Sequence, residues 1–427
     1  MARAAKGHGF DRLTPVGEAR DRFLQLVPVG PLATEAVPLA EALGRTLSNP
    51  LASTVDLPPF DRSAMDGFAV RARDTFGATG TNPLPLRLVG AAGAGRGEPR
   101  ALSKGECTRI ATGARVPRGA DAVVMVEHTR ELGDGTVEVQ EAMTPGENVS
   151  LRGEDVKPGD RLLPAGATVT PPDIGLAAAL GKTRLPVARR PRVGVLSTGD
   201  ELAAPGRRAT AGKVADSNRP AALAAVAQAG GEPVDLGWAP DDLKAIRSAL
   251  SKGLSRCDLL VVSGGTSVGA RDFVPEAVGA LAAPGIVVHG VAMRPGYPVA
   301  LGAVRKRPFV LLPGSPVAAA LCVREFAIPA IRKMLGARAV GEPAGARVRA
   351  VAWRRIPGAA GMQTYARVLL RREGGALVAE PVRISGAGVL SSLVRSHGLV
   401  ILPPSKEGVE EGEAVEVLLL RDLDGAP

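Results

Sequence analysis

Three short stretches of this sequence carry residue types suited to chemistry on an anion. SGGTSVGARDF (263–273) follows the apolar run CDLLVV and ends near one carboxylate, Asp272. STGDEL (197–202) sets two acids, Asp200 and Glu201, beside a glycine, and LPGSPV (312–317) places Gly314-Ser315 between Pro313 and Pro316. The glycine run permits two readings: a tight strand-to-helix turn, or a loop whose backbone N–H groups must come close to an anion. Acids beside an anion-binding loop suit a divalent cation that bridges them to phosphate, since Mg²⁺ takes a few carboxylates plus phosphate oxygens. On that reading Ser263, Gly264, Gly265 and Ser267 cradle a phosphate, Gly314 and Ser315 open a second anion site at a helix start, and Asp272 helps hold the metal. Arg294, in VAMRPGYP (291–298), adds a planar donor for an oxyanion.

The text from 192 onward accounts for the placement of these loops. RVGVLSTG, VDLGW, CDLLVVSGG, IVVHGV and FVLLPGSP are short apolar strands. SNRPAALAAVAQAGG and DDLKAIRSALSKGL read as helices between them, and SPVAAALCVREFAIPAIRKML as a long closing helix. Such alternation predicts a parallel, doubly wound sheet buried on both faces. Ligands of such sheets bind beyond the carboxyl ends of the strands, so the three loops should share one edge. Asp216-Ser217-Asn218 precedes a helix as a cap and can also face that cleft.

With 427 residues, 45% of them hydrophobic, the chain has material for several cores, and its 53 glycines and 36 prolines mark many turns. The net charge of +10 is spread along the chain, without the basic runs and interleaved aromatics of a nucleic-acid platform, and is expected to attract an anionic small substrate. Cys107, Cys257 and Cys322 form no CxxC pair, which argues against a zinc knuckle or a disulfide framework. No apolar run approaches the ~20 residues of a membrane span, and MARAAKGHGFDR lacks an apolar h-region, so a cytoplasmic protein is expected.

Before residue 192, LTPVGEARDRFLQL (13–26) and PLAEALGRTL (38–47) read as helical, 84–150 as short strands and turns, and 156–181 as turns and a helix. After about 340, RVRAVAW, TYARVLLRR, ALVAEPV, LVILPP and AVEVLLL are strand-like. The expected division is 1–55 with 151–190 as a discontinuous N-terminal mixed α/β domain, 56–150 as an inserted β-rich domain, 191–337 as the central α/β domain and 338–427 as a C-terminal barrel-like β domain.

PPFDRSAMDGFAVRA (58–72), IATGARVPRGADAVVMVE (110–127), GEDV (153–156) and the loops above occur in one order along nearly the whole chain. In these stretches the sequence resembles the molybdopterin molybdenumtransferase family, meaning bacterial MoeA and the C-terminal part of gephyrin. PPFDRSAMDG is the most specific of the shared pieces, and GAGVLSSLVRSHGLVILP (386–403) matches more loosely. The resemblance implies an elongated four-domain protomer forming a homodimer, with a molybdopterin-binding (MogA-like) central fold. It implies a Mg²⁺-assisted reaction in which adenylylated molybdopterin and molybdate give molybdenum cofactor and AMP. An upstream adenylyltransferase and molybdoenzyme chaperones are the protein partners it suggests.

Carried over by position, the resemblance makes Glu201, Asp241 or its neighbour Asp242, and Asp272 the metal-site acids. It makes Asp66, Thr112 and Asp155 residues that line the cleft across a dimer interface, and Arg294 and Arg367 donors to molybdate. Two positions depart from the family pattern: Tyr297 stands where a lysine is usual, and Ser315 where asparagine is frequent. Two other readings stay open, a molybdopterin adenylyltransferase and a non-catalytic scaffold of the gephyrin type.

Overall fold

The computed structural model describes residues 12–203, 212–265, 273–341, 345–383 and 386–421. Pro15 caps helix α1 (Val16–Leu26), whose buried stripe is Val16, Ala19 and Phe23. That stripe packs in one core with Val193, Val195, Phe326 and Ala330. Helix α1 therefore lies with the central core, apart from the N-terminal segments it precedes. An amphipathic stripe announces that it needs cover, not which sheet supplies it.

Residues 38–47 depart from the helix expected there and contribute one 3-10 turn, Leu39–Glu41. Pro38 ends a strand and Gly44 takes φ +71°, which leaves too few residues between them for a helical nucleus. Thr34–Pro38 pairs antiparallel with Arg184–Ala188, so segments on either side of 56–150 meet. The intervening stretch builds a six-stranded sheet in which Gly67–Val70 lies between Ala122–Met125 and Glu106–Ile110. Phe68, Cys107, Val124 and Val137 fill its core, and burial pushes the Cys107 thiol up to about 12, too high for a nucleophile. Helix α2 (Pro171–Ala179) opens on a capping box, with the Thr170 N–H and hydroxyl both donating to Asp173 at 2.8 and 2.6 Å.

The central sheet comprises β1 (Arg192–Thr198), β2 (Glu232–Ala239), β3 (Leu259–Ser263), β4 (Pro284–His289), β5 (Ala300–Val304) and β6 (Arg307–Leu312). Their spatial order is β2-β1-β3-β6-β5-β4. Successive side chains of β3 go to opposite faces: Leu259 and Val261 join the core shared with α3 (Asn218–Gln228), Leu260 and Val262 the core shared with α4 (Leu243–Arg256) and α5 (Phe273–Gly279). That is the doubly wound arrangement, and it explains runs without polar alternation. The sheet is mixed, however, where an all-parallel one was expected. β6 pairs antiparallel with β5 and β5 with β4. Only Arg305 and Lys306 separate β5 from β6, and a two-residue connection can join only antiparallel strands. Arg305 takes the φ of +57° that such a turn requires.

After β6 a nearly continuous helix runs through α6 (Pro316–Cys322), a π-helical turn (Val323–Ala327) and α7 (Ile328–Met334). The last strands are β7 (Arg347–Ala352), β8 (Gln363–Glu373), β9 (Ala376–Arg383), β10 (Gly398–Leu402) and β11 (Ala414–Leu419). They pair in the order β8-β9-β7-β11-β10, and β10 pairs back to β8, which closes a five-stranded barrel. The central unit reaches into this sheet, because Met293–Arg294 pairs parallel with Gln363–Thr364 of β8.

Candidate active site

The strand order reverses between β1 and β3, so the loops leaving their carboxyl ends flank the switch point of the sheet. Beside them lie the loops after β2 and β6. Backbone and side-chain bonds tie these loops in two adjacent pairs. Asp200 N–H donates to Asp241 Oδ2 at 3.2 Å, and Asp241 N–H returns the bond to Asp200 Oδ1 at 3.1 Å. Trp238 Nε1–H donates to Gly199 O at 2.7 Å. Gly264 N–H donates to Leu312 O at 3.1 Å, which joins the β3 and β6 loops.

Asn218 makes the strongest cross-link. Its Nδ2 donates to both Ser263 Oγ and Gly314 O, each at 2.8 Å. One amide thus braces the glycine loop against the Pro-Gly-Ser-Pro loop. Asp216 does the capping, accepting from Arg219 N–H at 3.1 Å and pairing with the Arg219 guanidinium. The sequence signal was two Asx residues at one helix start where a single cap suffices. We expect Asn218→Ala to lower unfolding free energy by about 1–3 kcal/mol through loss of these bonds, read from denaturant midpoints. A midpoint equal to that of the parent would show that the bridge is not maintained in solution.

The two glycines of the second loop have a steric cause. A Cβ at Gly264, where φ is +99°, would lie 2.3 Å from Thr198 O, and one at Gly265 would lie 2.6 Å from Val274 Cγ2. The tight-turn reading of this run is therefore correct at these positions, whatever approaches from outside. A Cβ at Gly314 would meet nothing within 4 Å, so that backbone faces open space. The helix start beside it is less free than expected. Pro316 has no N–H, and the Val317 N–H donates to Ala387 O of the C-terminal unit at 3.0 Å. Pro313 is buried, whereas Ser315 is half-buried and caps α6 without a side-chain hydrogen bond. A small cleft of about 80 Å³ opens here between α3 and α6, lined by Asn218, Ala221, Leu312, Pro316, Ala319 and Leu390.

The acids separate by role. Glu201 is exposed, with its carboxylate folded back over Gly199. Asp241 lies in the same loop cluster. Asp242 is committed elsewhere, accepting from Ala245 N–H at 2.7 Å as the N-cap of α4. Of the neighbouring pair, Asp241 is thus the one whose side chain bonds within the loop cluster, to the Asp200 N–H. Asp272 and Ser267 lie outside the described residues, and among the described residues no three candidate ligands converge as a closed metal site. Two carboxylates at an open edge are a poor all-protein cage, but they fit a Mg²⁺ ion that takes its remaining ligands from phosphate and water.

Asp66 and Thr112, 46 residues apart, meet: Thr112 N–H donates to Asp66 Oδ1 at 2.7 Å. Asp155 is exposed and anchored through its N–H to Leu57 O at 3.0 Å. Among the described residues, no hydrogen bond or ion pair joins Asp66, Thr112 or Asp155 to the loops of the central edge within one chain. Arg294 is exposed on its two-residue strand beside the barrel. Arg367 is 1% exposed within β8, so its guanidinium is not displayed at the surface.

The chain thus sets a doubly wound domain with bonded loops at its switch point between a β-rich insertion and a closed barrel. Residues 194–333 match the family described as a probable molybdopterin binding domain. Residues 14–181 match the MoeA N-terminal region (domain I and II), and residues 349–420 the MoeA C-terminal region (domain IV). The chain is 37% identical over 385 residues to molybdopterin molybdenumtransferase 2 of Mycobacterium tuberculosis, covering 89% of this chain and 94% of that protein. It is 34% identical over 416 residues to the molybdopterin molybdenumtransferase of Bacillus subtilis, covering 96% and 95%. The crystal structure of the molybdopterin biosynthesis MoeA protein from Pyrococcus horikoshii superposes with a TM-score of 0.83 at 31% identity, covering 96% of this chain and all of that one. The chain belongs to the MoeA family of molybdopterin molybdenumtransferases.

Proposed function

We propose that this chain is a molybdopterin molybdenumtransferase: it takes adenylylated molybdopterin and molybdate, places molybdenum at the dithiolene, and releases AMP. The observation that carries the reading is the braced edge, where the Asp200–Asp241 pair joins the loops after β1 and β2 and Asn218 joins those after β3 and β6. Relatives aligned over about nine-tenths of the chain carry that enzyme name. The phosphoanhydride would lie along the β1 and β3 loops. Glu201 and Asp241, with Asp272, would hold Mg²⁺ against it; the ion would neutralise charge building on the leaving phosphate. Arg294 offers a guanidinium to molybdate. In this reading Asp66, Thr112 and Asp155 complete the cleft from the second chain of a homodimer, and the reaction runs in the cytoplasm.

The adenylyltransferase reading would need only the central domain, whereas the matches at 14–181 and 349–420 extend over both flanks. Supplying ATP with metal-free molybdopterin separates the two: adenylylated product would favour the adenylyltransferase. A non-catalytic scaffold has no use for Glu201 and Asp241 at the sheet edge, and would leave adenylylated molybdopterin intact in the presence of Mg²⁺ and molybdate.

A further inference from the structure

Trp238 stands at the end of β2 and is 46% exposed. A single exposed apolar side chain needs no explanation. This one, however, is held in place. Its indole N–H donates to Gly199 O at 2.7 Å, two residues before Glu201. The backbone beneath it is bulged. β1 and β2 pair up to Val195 and Asp235 and resume at Ser197 and Trp238, so one residue of β1 faces two of β2. Bulges of this kind re-aim a side chain, and they are frequent beside active sites. Gly237 takes φ +78° in the bulge, and its N–H donates to Asp235 Oδ1 at 2.8 Å. Arg219 Nη1 pairs with the same oxygen at 2.7 Å. An aromatic ring tethered through its N–H, with much of its surface open, suits stacking by a planar ligand.

The substrate in the reading above has two planar groups, a pterin and an adenine, on either side of the phosphoanhydride. The sheet decides between them. β2, β1, β3 and β6 are parallel, and β4 runs with them because both β4 and β6 pair antiparallel with β5. The carboxyl ends of β2 and β4 therefore lie on one edge, at opposite ends of the row β2-β1-β3-β6-β5-β4. Five strand spacings separate them, roughly 24 Å. Arg294, the donor to molybdate, follows β4, and Trp238 belongs to β2. The dithiolene must reach the molybdate, so the pterin half extends from the phosphoanhydride toward β4. The adenosine half then extends toward β2.

We propose that Trp238 is the platform on which the adenine of adenylylated molybdopterin, and of the AMP released from it, stacks. The identity of the ligand rests on the function proposed above; the tethered, exposed indole does not.

Trp353→Phe leaves Trp238 as the single tryptophan of the chain. AMP added with Mg²⁺ should quench the emission of that variant in a saturable way. In the otherwise parent chain, Trp238→Ala and Trp238→Leu should weaken AMP binding, read by calorimetry, about ten- to hundredfold. Trp238→Phe keeps a ring and loses the bond to Gly199, and should stay within about threefold of the parent. Ribose 5-phosphate, which lacks the base, should bind the parent and all three variants alike. An AMP affinity that falls as far in Trp238→Phe as in Trp238→Ala, or an equal loss for ribose 5-phosphate, overturns the platform, since the tether to Gly199 then explains the effect. AMP bound equally by the parent and Trp238→Ala overturns it directly. Quenching by metal-free molybdopterin and not by AMP assigns the ring to the pterin and overturns the adenine. A parent that binds no AMP with Mg²⁺ counts against the proposed function as well as the platform.

Discussion

Glu201→Gln and Asp272→Asn, made singly, are expected to lower Mg²⁺-dependent AMP release by about 10²–10³-fold, because each would remove one carboxylate from the ion that stabilises the leaving phosphate. Glu201 is exposed at the loop after β1, so its replacement should change stability by no more than about 0.5 kcal/mol. Asp242→Ala should do the reverse. Its carboxylate caps α4, and losing a cap costs about 1 kcal/mol with turnover nearly unchanged. Asp241→Asn should fall between, since Asp241 is a proposed metal ligand and also braces the Asp200 N–H. Measuring AMP release and denaturant midpoints for all four variants gives a pattern that a purely structural role cannot produce. Parent-like release by Glu201→Gln and Asp272→Asn would remove both from the metal site.

The second large effect concerns the partner chain. Asp66 and Thr112 are joined by a 2.7 Å hydrogen bond in the β-rich sheet, and no described bond ties them to the central loops of their own chain. If the cleft is shared in a twofold dimer, Asp66→Asn and Asp272→Asn chains damage opposite sides of it. Each homodimer should be inactive. Random exchange of equal amounts makes half the dimers mixed, each with one intact cleft of two, so activity should return to about one quarter of the parent. Mixed dimers verified by mass spectrometry but without activity would show that each chain builds its cleft alone.

Much of the central unit could be read from its residues. Apolar runs without alternation, such as LLVVS at 259–263, followed from burial on both faces, and the glycines after them marked the strand ends. β5 escaped because Gly302 and flanking alanines dilute its pattern. Gly302 itself is required, since a Cβ there would lie 2.1 Å from Gly285 O of the neighbouring strand. Missing β5 hid the hairpin with β6, and with it the antiparallel edge. At the sheet edge, residue types pointed to loops that the fold brings side by side, but not to which acid caps a helix and which bonds across the loops; Asp241 and Asp242 are adjacent and chemically identical. Asn218 looked like a cap because its task, bridging residues 45 and 96 positions away, exists only in three dimensions. The Arg20–Glu325 ion pair is equally non-local, and an acid within an apolar helix gives no sign of which element will meet it. Arg367 shows the converse: its resemblance to a molybdate ligand carried no information about its burial in β8.

The central claim, molybdenum insertion coupled to AMP release, is tested most directly by one measurement. Purified protein is given adenylylated molybdopterin with Mg²⁺, with and without molybdate, and AMP and molybdenum-loaded cofactor are quantified together. The account predicts that both products appear in equal amounts and that both are lost when Glu201 is replaced by glutamine. Adenylylated molybdopterin left intact with all components present, or AMP released with no molybdenum in the cofactor, would contradict it.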